Sequence, residues 1–541
     1  MTDNSIATLR FSVDRLVTSR QRVFGWGWVA HGARIVESVS LCASGNGWTH
    51  EIPANFGLAR WDVAEAFPGL VQAASSGFVL TGYLPDVDPD SFELLVRFAD
   101  GTTERLDATA TLQSHNDRNR KRRMAVWLVR AVWRRLKRFD LQGILRRARA
   151  QSYAAAGVDE QILNERLLPA LQQAQGIVLV FDHNMGGGAN QYRRRIIAEH
   201  VAEGRTVLLC TYNLPTLEYY LHLFRPGVAE EAYRSTSFMV LDDVLDHARV
   251  DELFVNSPVS FDEPLLFAEW LASVRARLPA IRLTMTVHDY FAVCPSFVLL
   301  NSDGRYCGIP SISECAACLA RHRATYVALS PQTEIGPWRA LWGRCLKAAD
   351  EVRCFSESAR GLLTRAYADL DPMRITVVPH RIDYHPARTP RLDYHAPLTI
   401  GIVGQISVQK GAGIVRDLVA HIDASAIDAR VVVLGTLDLA VRSSRLRVMG
   451  TYERADLVDL IESQGINVFL FPSICPETFS YVVEELMLLG VPIVAFALGA
   501  PADRLRGYAL GRLVSEVNAA AALAAIVEFH AKLAAGEQLA A

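Results

Sequence analysis

The sequence predicts an α/β protein: two Rossmann-like domains facing each other across a cleft, preceded by a small β-sandwich-like module and a basic helical linker. Three observations predict it. The chain has 541 residues, too many for one core at about 150 residues per domain. Beyond residue 172, short Val/Ile/Leu-rich runs alternate with helical stretches in two successive series, the pattern of buried parallel strands in βαβ units. Before residue 113 the runs are β-prone and are separated by turn residues instead.

Residues 1–113 form the predicted β-rich module. "RQRVFGWGWVA", "RIVESVSLCASGNGWTHEI", "GFVLTGYL" and "SFELLVRFADGTTERLDATATL" are β-prone runs broken by Gly, Asn, Asp and Pro. The Asp-Gly pair in "FADGTTERL" is a hairpin signal. Its aromatics Phe24, Trp26, Trp28 and Trp48 either line a carbohydrate site or fill a sandwich core and interface. Residues 114–171 form the predicted linker. Thirteen Lys or Arg between 116 and 150 stand against Asp117 and Asp140, a local charge of +11 in a chain of net −2. Trp127, Trp133, Leu136, Phe139 and Ile144 recur there at near-helical spacing. Such a helix lays an aromatic face in an anionic headgroup layer while its arginines meet lipid phosphates. A solvated linker, or a helix packed on the first Rossmann-like domain, fits the same residues.

Residues 172–392 are the expected N-terminal, acceptor-side Rossmann-like domain, with strands at "GIVLVFDHN", "RTVLLCTYN", "ELFVNSP" and "IRLTMTVHD". Residues 393–541 are the expected C-terminal, donor-binding one, with "LTIGIVG", "ARVVVLG", "NVFLFPS" and "VPIVAF". Open parallel sheets place ligands at the carboxyl ends of their strands, so the polar and Gly/Pro residues closing these runs are the place to look for chemistry.

Composition narrows the class. Half of the residues are apolar and 21% are charged, a soluble globular balance. No signal-peptide pattern and no 18-residue apolar run are visible, and nine scattered cysteines suit reduced thiols, so a cytoplasmic location is expected. No nucleic-acid motif accompanies the basic zone, and no nucleic-acid partner is expected.

Two stretches carry candidate chemistry. In "GQISVQKGAGIVRDLVAHI" a strand leads through a turn with Lys410 and Gly411 into a helix, and a lysine beside a helix N-terminus suits a phosphate. A solvated loop lysine would read the same. In "CPETFSYVVEELMLLGVPIVA", Glu477 and Glu485 lie eight residues apart around an expected helix start at Pro476–Glu477, with Glu477 itself expected outside the regular helix. Eight residues rise about 12 Å along a helix, so two carboxylates there could grip hydroxyls at opposite ends of one nucleotide-sugar-sized ligand. Alternatively Glu477 caps the helix while Glu484 and Glu485 face water.

The second stretch resembles the glutamate–seven–glutamate motif of the retaining nucleotide-sugar glycosyltransferases of family 4, with the GT-B fold. Companion motifs follow in order from about residue 177 to 517: "MGGGANQY", "TVHDY", "FSES", "VVPHRID", "GQISVQKG", "GTYERADLVDLI" and "FALGAPADRL". The resemblance implies that Glu477 contacts the donor sugar, Glu485 holds the ribose hydroxyls and Lys410 faces the diphosphate. It implies a donor site completed by Gly404, Gln405, Tyr452, Thr478, Phe479 and Ser480. His288 would act in the cleft with Glu477, and the loop of Gly187, Gly188 and Asn190 would approach donor and acceptor. His288 beside Asp289 also fits a structural hydrogen-bonding pair. Catalysis would need no metal. Two departures stand out: Gln405 is neutral where many members carry a second phosphate-binding arginine, and Ser480 stands where many have glycine.

The run "CPSFVLLNSDGRYCGIPSISECAACL" holds Cys294, Cys307, Cys315 and Cys318, a set that permits a structural zinc or four free thiols. The expected function is transfer of a sugar, with retention, from a nucleotide-sugar donor to a cell-surface polysaccharide or lipid-linked glycan such as lipopolysaccharide, with the enzyme held peripherally at the membrane's inner face. The alternatives are another GT-B enzyme (a sugar-nucleotide epimerase or an inverting transferase) or an inactive glycan-binding protein.

Overall fold

The computed structural model describes residues 8–19, 21–45, 47–85, 89–113, 163–235, 237–322 and 334–536. The basic zone 116–150 lies outside them. Among the described residues no helix is long and apolar enough to cross a membrane.

The N-terminal module is two sheets around one core. One runs in the order Asn55–Leu58, Gly77–Tyr83, Arg22–His31, Leu9–Ser19, Leu112–Gln113; the other in the order Trp48–Pro53, Val36–Gly45, Ser91–Phe98, Thr103–Asp107. Leu16, Val23, Val29, Leu41, Phe78, Phe92, Val96 and Phe98 are buried between them. The central strands Arg22–His31, Val36–Gly45 and Gly77–Tyr83 are buried along most of their length, as strands between two packed layers are. Trp28 is buried against Phe67, whereas Trp26 and Trp48 are half-buried.

The middle of the chain builds an eight-stranded sheet. Six parallel strands stand in the order Thr206–Asn213, Ile177–His183, Val250–Val255, Arg282–Thr286, Glu351–Cys354, Ile375–Val377. An antiparallel hairpin, Glu218–Arg225 and Val228–Ser235, extends the edge beside Thr206–Asn213. That hairpin, turning at Pro226-Gly227, is absent from the strands expected from sequence, and so are Glu351–Cys354 and Ile375–Val377. The last two are three or four residues long, too short to show a period.

The C-terminal sheet is wholly parallel, in the order Leu446–Val448, Ala429–Leu437, Leu398–Ile406, Val468–Phe471, Ile493–Phe496, Gly511–Val514. Counted along the chain this is 3-2-1-4-5-6, the doubly wound dinucleotide-fold order, whose switch point lies beside its first strand. Here that strand is Leu398–Ile406, which carries Gln405 near its end and leads to the Lys410 turn. Both sheets open toward each other. Thr478 Oγ1 donates to the His288 carbonyl at 2.8 Å, Ser358 N donates to Asp503 Oδ2 at 2.8 Å, and Phe479 packs into the apolar cluster of the middle sheet.

Candidate active site

The Lys410 turn is fixed by a close approach. Gly411 has φ +89°, and a Cβ there would stand 2.0 Å from the Pro472 carbonyl oxygen. Only glycine serves, and the result is that the turn lies against the loop 472–480. Lys410 is exposed and close enough to Glu477 and Cys475 to act on both electrostatically.

Glu477 does not begin a helix. The helix starts at Tyr481, capped by Ser480, whose side chain accepts from Val483 N. Glu477 sits in the preceding loop, and its carbonyl accepts from Ala500 N at 2.8 Å. The helical spacing argument for Glu477 and Glu485 is therefore replaced by loop geometry: Pro476 and the close packing of residues 499–500 keep this segment out of the helix. Glu477 Oε1 is buried without a hydrogen-bond partner. Burial raises its pKa, while Lys410 pulls the other way.

Glu484 and Glu485 are buried rather than facing water, at 9% and 6% exposure. Arg504 Nη2 donates to Glu484 Oε2 at 2.9 Å. Arg454 Nη2 stands 2.8 Å from Glu485 Oε1, close enough for an ion pair but off-line for a hydrogen bond. Glu485 also acts on Tyr384 and Tyr452, and Tyr452 is pushed up to about 12 mainly by burial. Glu485 thus lies among exposed Arg454, half-buried Tyr452 and buried Tyr384, of which Tyr452 was expected in the donor site.

Across the cleft, His288 Nε2 lies 2.9 Å from Asn256 Oδ1, and Asn256 Nδ2 donates to the Ala189 carbonyl. With that amide oriented, Nε2 carries the His288 proton and Nδ1 is left as an acceptor. Burial, then His380 and His183, hold His288 well below the ordinary imidazole range, so it is neutral at pH 7. Asp289 is not its partner: it accepts from Ser257 Oγ and from Phe291 N.

The glycine loop is tied down from inside. Asn190 Oδ1 accepts from Gly186 N, and its Nδ2 donates to Asp182 Oδ2 and to the His183 carbonyl. Asn190 is 3% exposed and shapes the loop rather than facing the cleft. A Cβ on Gly188 would meet the Tyr481 ring at 3.0 Å, so glycine lets the helix at Tyr481 seat against this loop.

Sequence reasoning missed the aromatic hub that joins the two halves. His380 stacks on Phe355 at 4.0 Å, its Nδ1 lies 3.1 Å from the Tyr481 hydroxyl, and it contacts Tyr192 and Phe479. Burial, with Arg195 nearby, lowers its pKa to about 3. The signal was present in "VVPHRID", but contact partners about 100 residues away have no local signature.

Cys294, Cys307, Cys315 and Cys318 are near enough to act on one another electrostatically. Among the described residues no three His, Cys, Asp or Glu side chains form a group able to hold a metal. Cys318 accepts from Ser302 N and Cys315 from Arg339 Nη2, so these thiols face separate local partners. Burial pushes Cys294 up to about 12, with Cys307 and Cys315 adding to it.

No curated protein matches the chain. Among solved structures it is similar to sucrose-phosphate synthase from Thermosynechococcus elongatus, with 15% identity over 68% of this chain and 92% of that one, at a TM-score of 0.44. It is also similar to the apo form of the lipopolysaccharide outer core galactosyltransferase WaaB (10% identity, 67% and 91% covered, TM-score 0.40). Anabaena HepE, solved with UDP and glucose, is similar at 14% identity, with 66% and 94% covered and a TM-score of 0.38. The segment that carries Gly404, Lys410, Glu477 and Glu485 is the one with a family match: residues 397–532 match the family described as "Glycosyl transferases group 1".

Proposed function

We propose that this protein is a retaining glycosyltransferase that binds a nucleotide-sugar donor on the C-terminal sheet and a glycan or lipid-linked acceptor on the middle sheet. The observation that carries the reading is the meeting, at the carboxyl ends of the C-terminal strands, of Lys410 with a Glu477 carboxylate oxygen that is buried and unpartnered. A buried acceptor without a donor is costly, and a sugar hydroxyl is the kind of group that relieves it.

The division of labour is the one the motif resemblance implies. Lys410 and the N-terminus at Ser480–Tyr481 offset the charge that grows on the leaving diphosphate. Glu477 takes a donor-sugar hydroxyl, and Glu485, held by Arg454, takes the ribose diol. Neutral His288 offers Nδ1 as an acceptor near the reacting sugar, whose transition state has oxocarbenium character. Retention itself is read from the motif resemblance. The basic zone 116–150 would hold the enzyme on an anionic membrane where a lipid-linked acceptor resides.

A calorimetric panel of nucleotide sugars tests this directly. One donor is expected to bind and to be turned over with the product anomer matching the donor. An enzyme that converts a nucleotide sugar into a different free nucleotide sugar without acceptor would be an epimerase instead, and a protein that binds none of the panel is no transferase.

A further inference from the structure

The N-terminal module touches both Rossmann-like domains. On the middle domain its anchor is Arg22, 2% exposed, hydrogen-bonded to the Tyr83 hydroxyl and lying over the Tyr83 and Tyr212 rings at 4.7 and 5.5 Å. Tyr83 donates to the Asp262 carbonyl, and Tyr219 to the Asp262 carboxylate. Val17 of the module belongs to the middle domain's apolar core.

The second contact is with the C-terminal domain. Leu58 forms an antiparallel bridge with Leu439, and Ala59 N donates to the Asp438 carbonyl at 2.9 Å. The tip that makes this contact is itself braced: Leu58 pairs with Gly77, Arg60 N donates to the Ala74 carbonyl, and Arg60 bridges Asp14 and Asp62 at 2.9 Å each. On the other side, Asp438 N donates to the Ile406 carbonyl, at the carboxyl end of the strand leading to Lys410. The Asp438 carboxylate takes a hydrogen bond from Gln405. Gln405 is the neutral residue that stands in place of a second phosphate-binding arginine.

We infer that the N-terminal module is a wall of the catalytic cleft, a strut whose Leu58–Ala59 tip positions the Gln405–Lys410 loop through Asp438. The donor part of this inference rests on the proposed transferase reading; the strut does not. Leu58 and Ala59 are positioning residues, since they reach the site only through Asp438 and Gln405. Because the strut is anchored on the middle domain, any opening of the cleft must strain or break the Leu58–Leu439 bridge. The module thus couples domain separation to the shape of the phosphate-side loop.

Two measurements decide it. Residues facing across an antiparallel bridge have Cα atoms about 4.5–5.5 Å apart, within the range a disulfide spans. Oxidation of the Leu58→Cys/Leu439→Cys full-length protein is expected to join these residues within one chain, seen as a linked peptide in a non-reducing digest and absent from either single variant. A folded double variant that gives no link overturns the strut, whatever the protein's activity. The second variant, Ala59→Pro, removes the amide donor while leaving every group named in the site. It is expected to speed hydrogen exchange across 405–412 about fivefold or more, the effect of one lost hydrogen bond, with strands 22–31 and 77–83 still protected. With a donor in hand, its donor KM should rise about threefold to tenfold at nearly unchanged kcat, the same lost bond read as a weaker donor site. Unchanged exchange at 405–412, or an unchanged donor KM, overturns the coupling. A variant that loses protection in 22–31 has unfolded the module, and the crosslink alone then decides. If the wild type turns over no nucleotide sugar, the transferase reading fails while crosslink and exchange still judge the strut.

Discussion

At the residue scale the site is a set of charges whose partners are missing or movable. Glu477 is the sharpest case: its pKa is raised because burial costs more than Lys410 returns. A carboxyl with a raised folded-state pKa binds its proton more tightly folded than unfolded, so stability falls as pH rises through that window. Glu477→Gln is therefore expected to be more stable than wild type at pH 8, by about 1 kcal/mol, the scale of a buried unpaired group. The difference should vanish toward about pH 4, near the ordinary carboxyl range, which thermal melts across pH will show. In the proposed transferase the same position contacts the donor. Glu477→Ala and Lys410→Ala should each lower kcat by about 10²–10³, the loss seen when one preorganised stabiliser is removed. Circular dichroism checks that both variants fold, and wild-type turnover by either would remove that residue from the mechanism. Glu477 and Lys410 were legible in the sequence because a motif marks them. Arg454 and His380 were not, because their meaning lies in what they touch.

At the element scale the Arg22 anchor and the basic segment 116–150 each make a prediction. The Arg22 anchor is buried and hydrogen-bonded, and leaving a buried partner unsatisfied typically costs about 1–3 kcal/mol. Arg22→Met is expected to lower the first unfolding transition. An unchanged denaturation curve would show that apolar packing alone docks the module. The basic segment 116–150 makes a separate prediction. With roughly 1 kcal/mol per basic residue near an anionic surface, the protein should co-sediment with anionic vesicles at low salt. It should be released at high salt, ignore neutral lipid, and lose binding when the arginines of 118–138 become glutamine. Protein that stays in the supernatant at low salt would remove the membrane from the picture.

At the scale of the whole molecule, the two Rossmann-like domains meet through few polar contacts and one aromatic hub. Thr478 Oγ1 to the His288 carbonyl is the most direct of these, joining a predicted donor loop to a predicted cleft residue. A ligand that bridges the halves should stabilise the chain by about 2.7 kcal/mol at a hundredfold excess over Kd. The tightest nucleotide sugar from the panel should thus raise Tm, and Thr478→Val should blunt that rise while leaving the ligand-free Tm nearly unchanged. An equal rise in both would place the donor on the C-terminal domain alone.

The sequence by itself determined the α/β character, the two alternating series and the β-rich front, because buried parallel strands must be apolar and turns must carry Gly, Pro, Asn or Asp. It also marked Lys410, Glu477 and Glu485, because local motifs hold them at fixed spacing. Only the tertiary structure decided that Glu477 lies in a loop, that Glu484 and Glu485 are buried against Arg504 and Arg454, and that Asn190 serves its own loop. The contact of Ala59 with Asp438 belongs to the same class. Each depends on which residues far apart in the chain come within bonding distance. Periodicity and propensity act over one element, whereas burial and charge pairing are set by the elements packed against it.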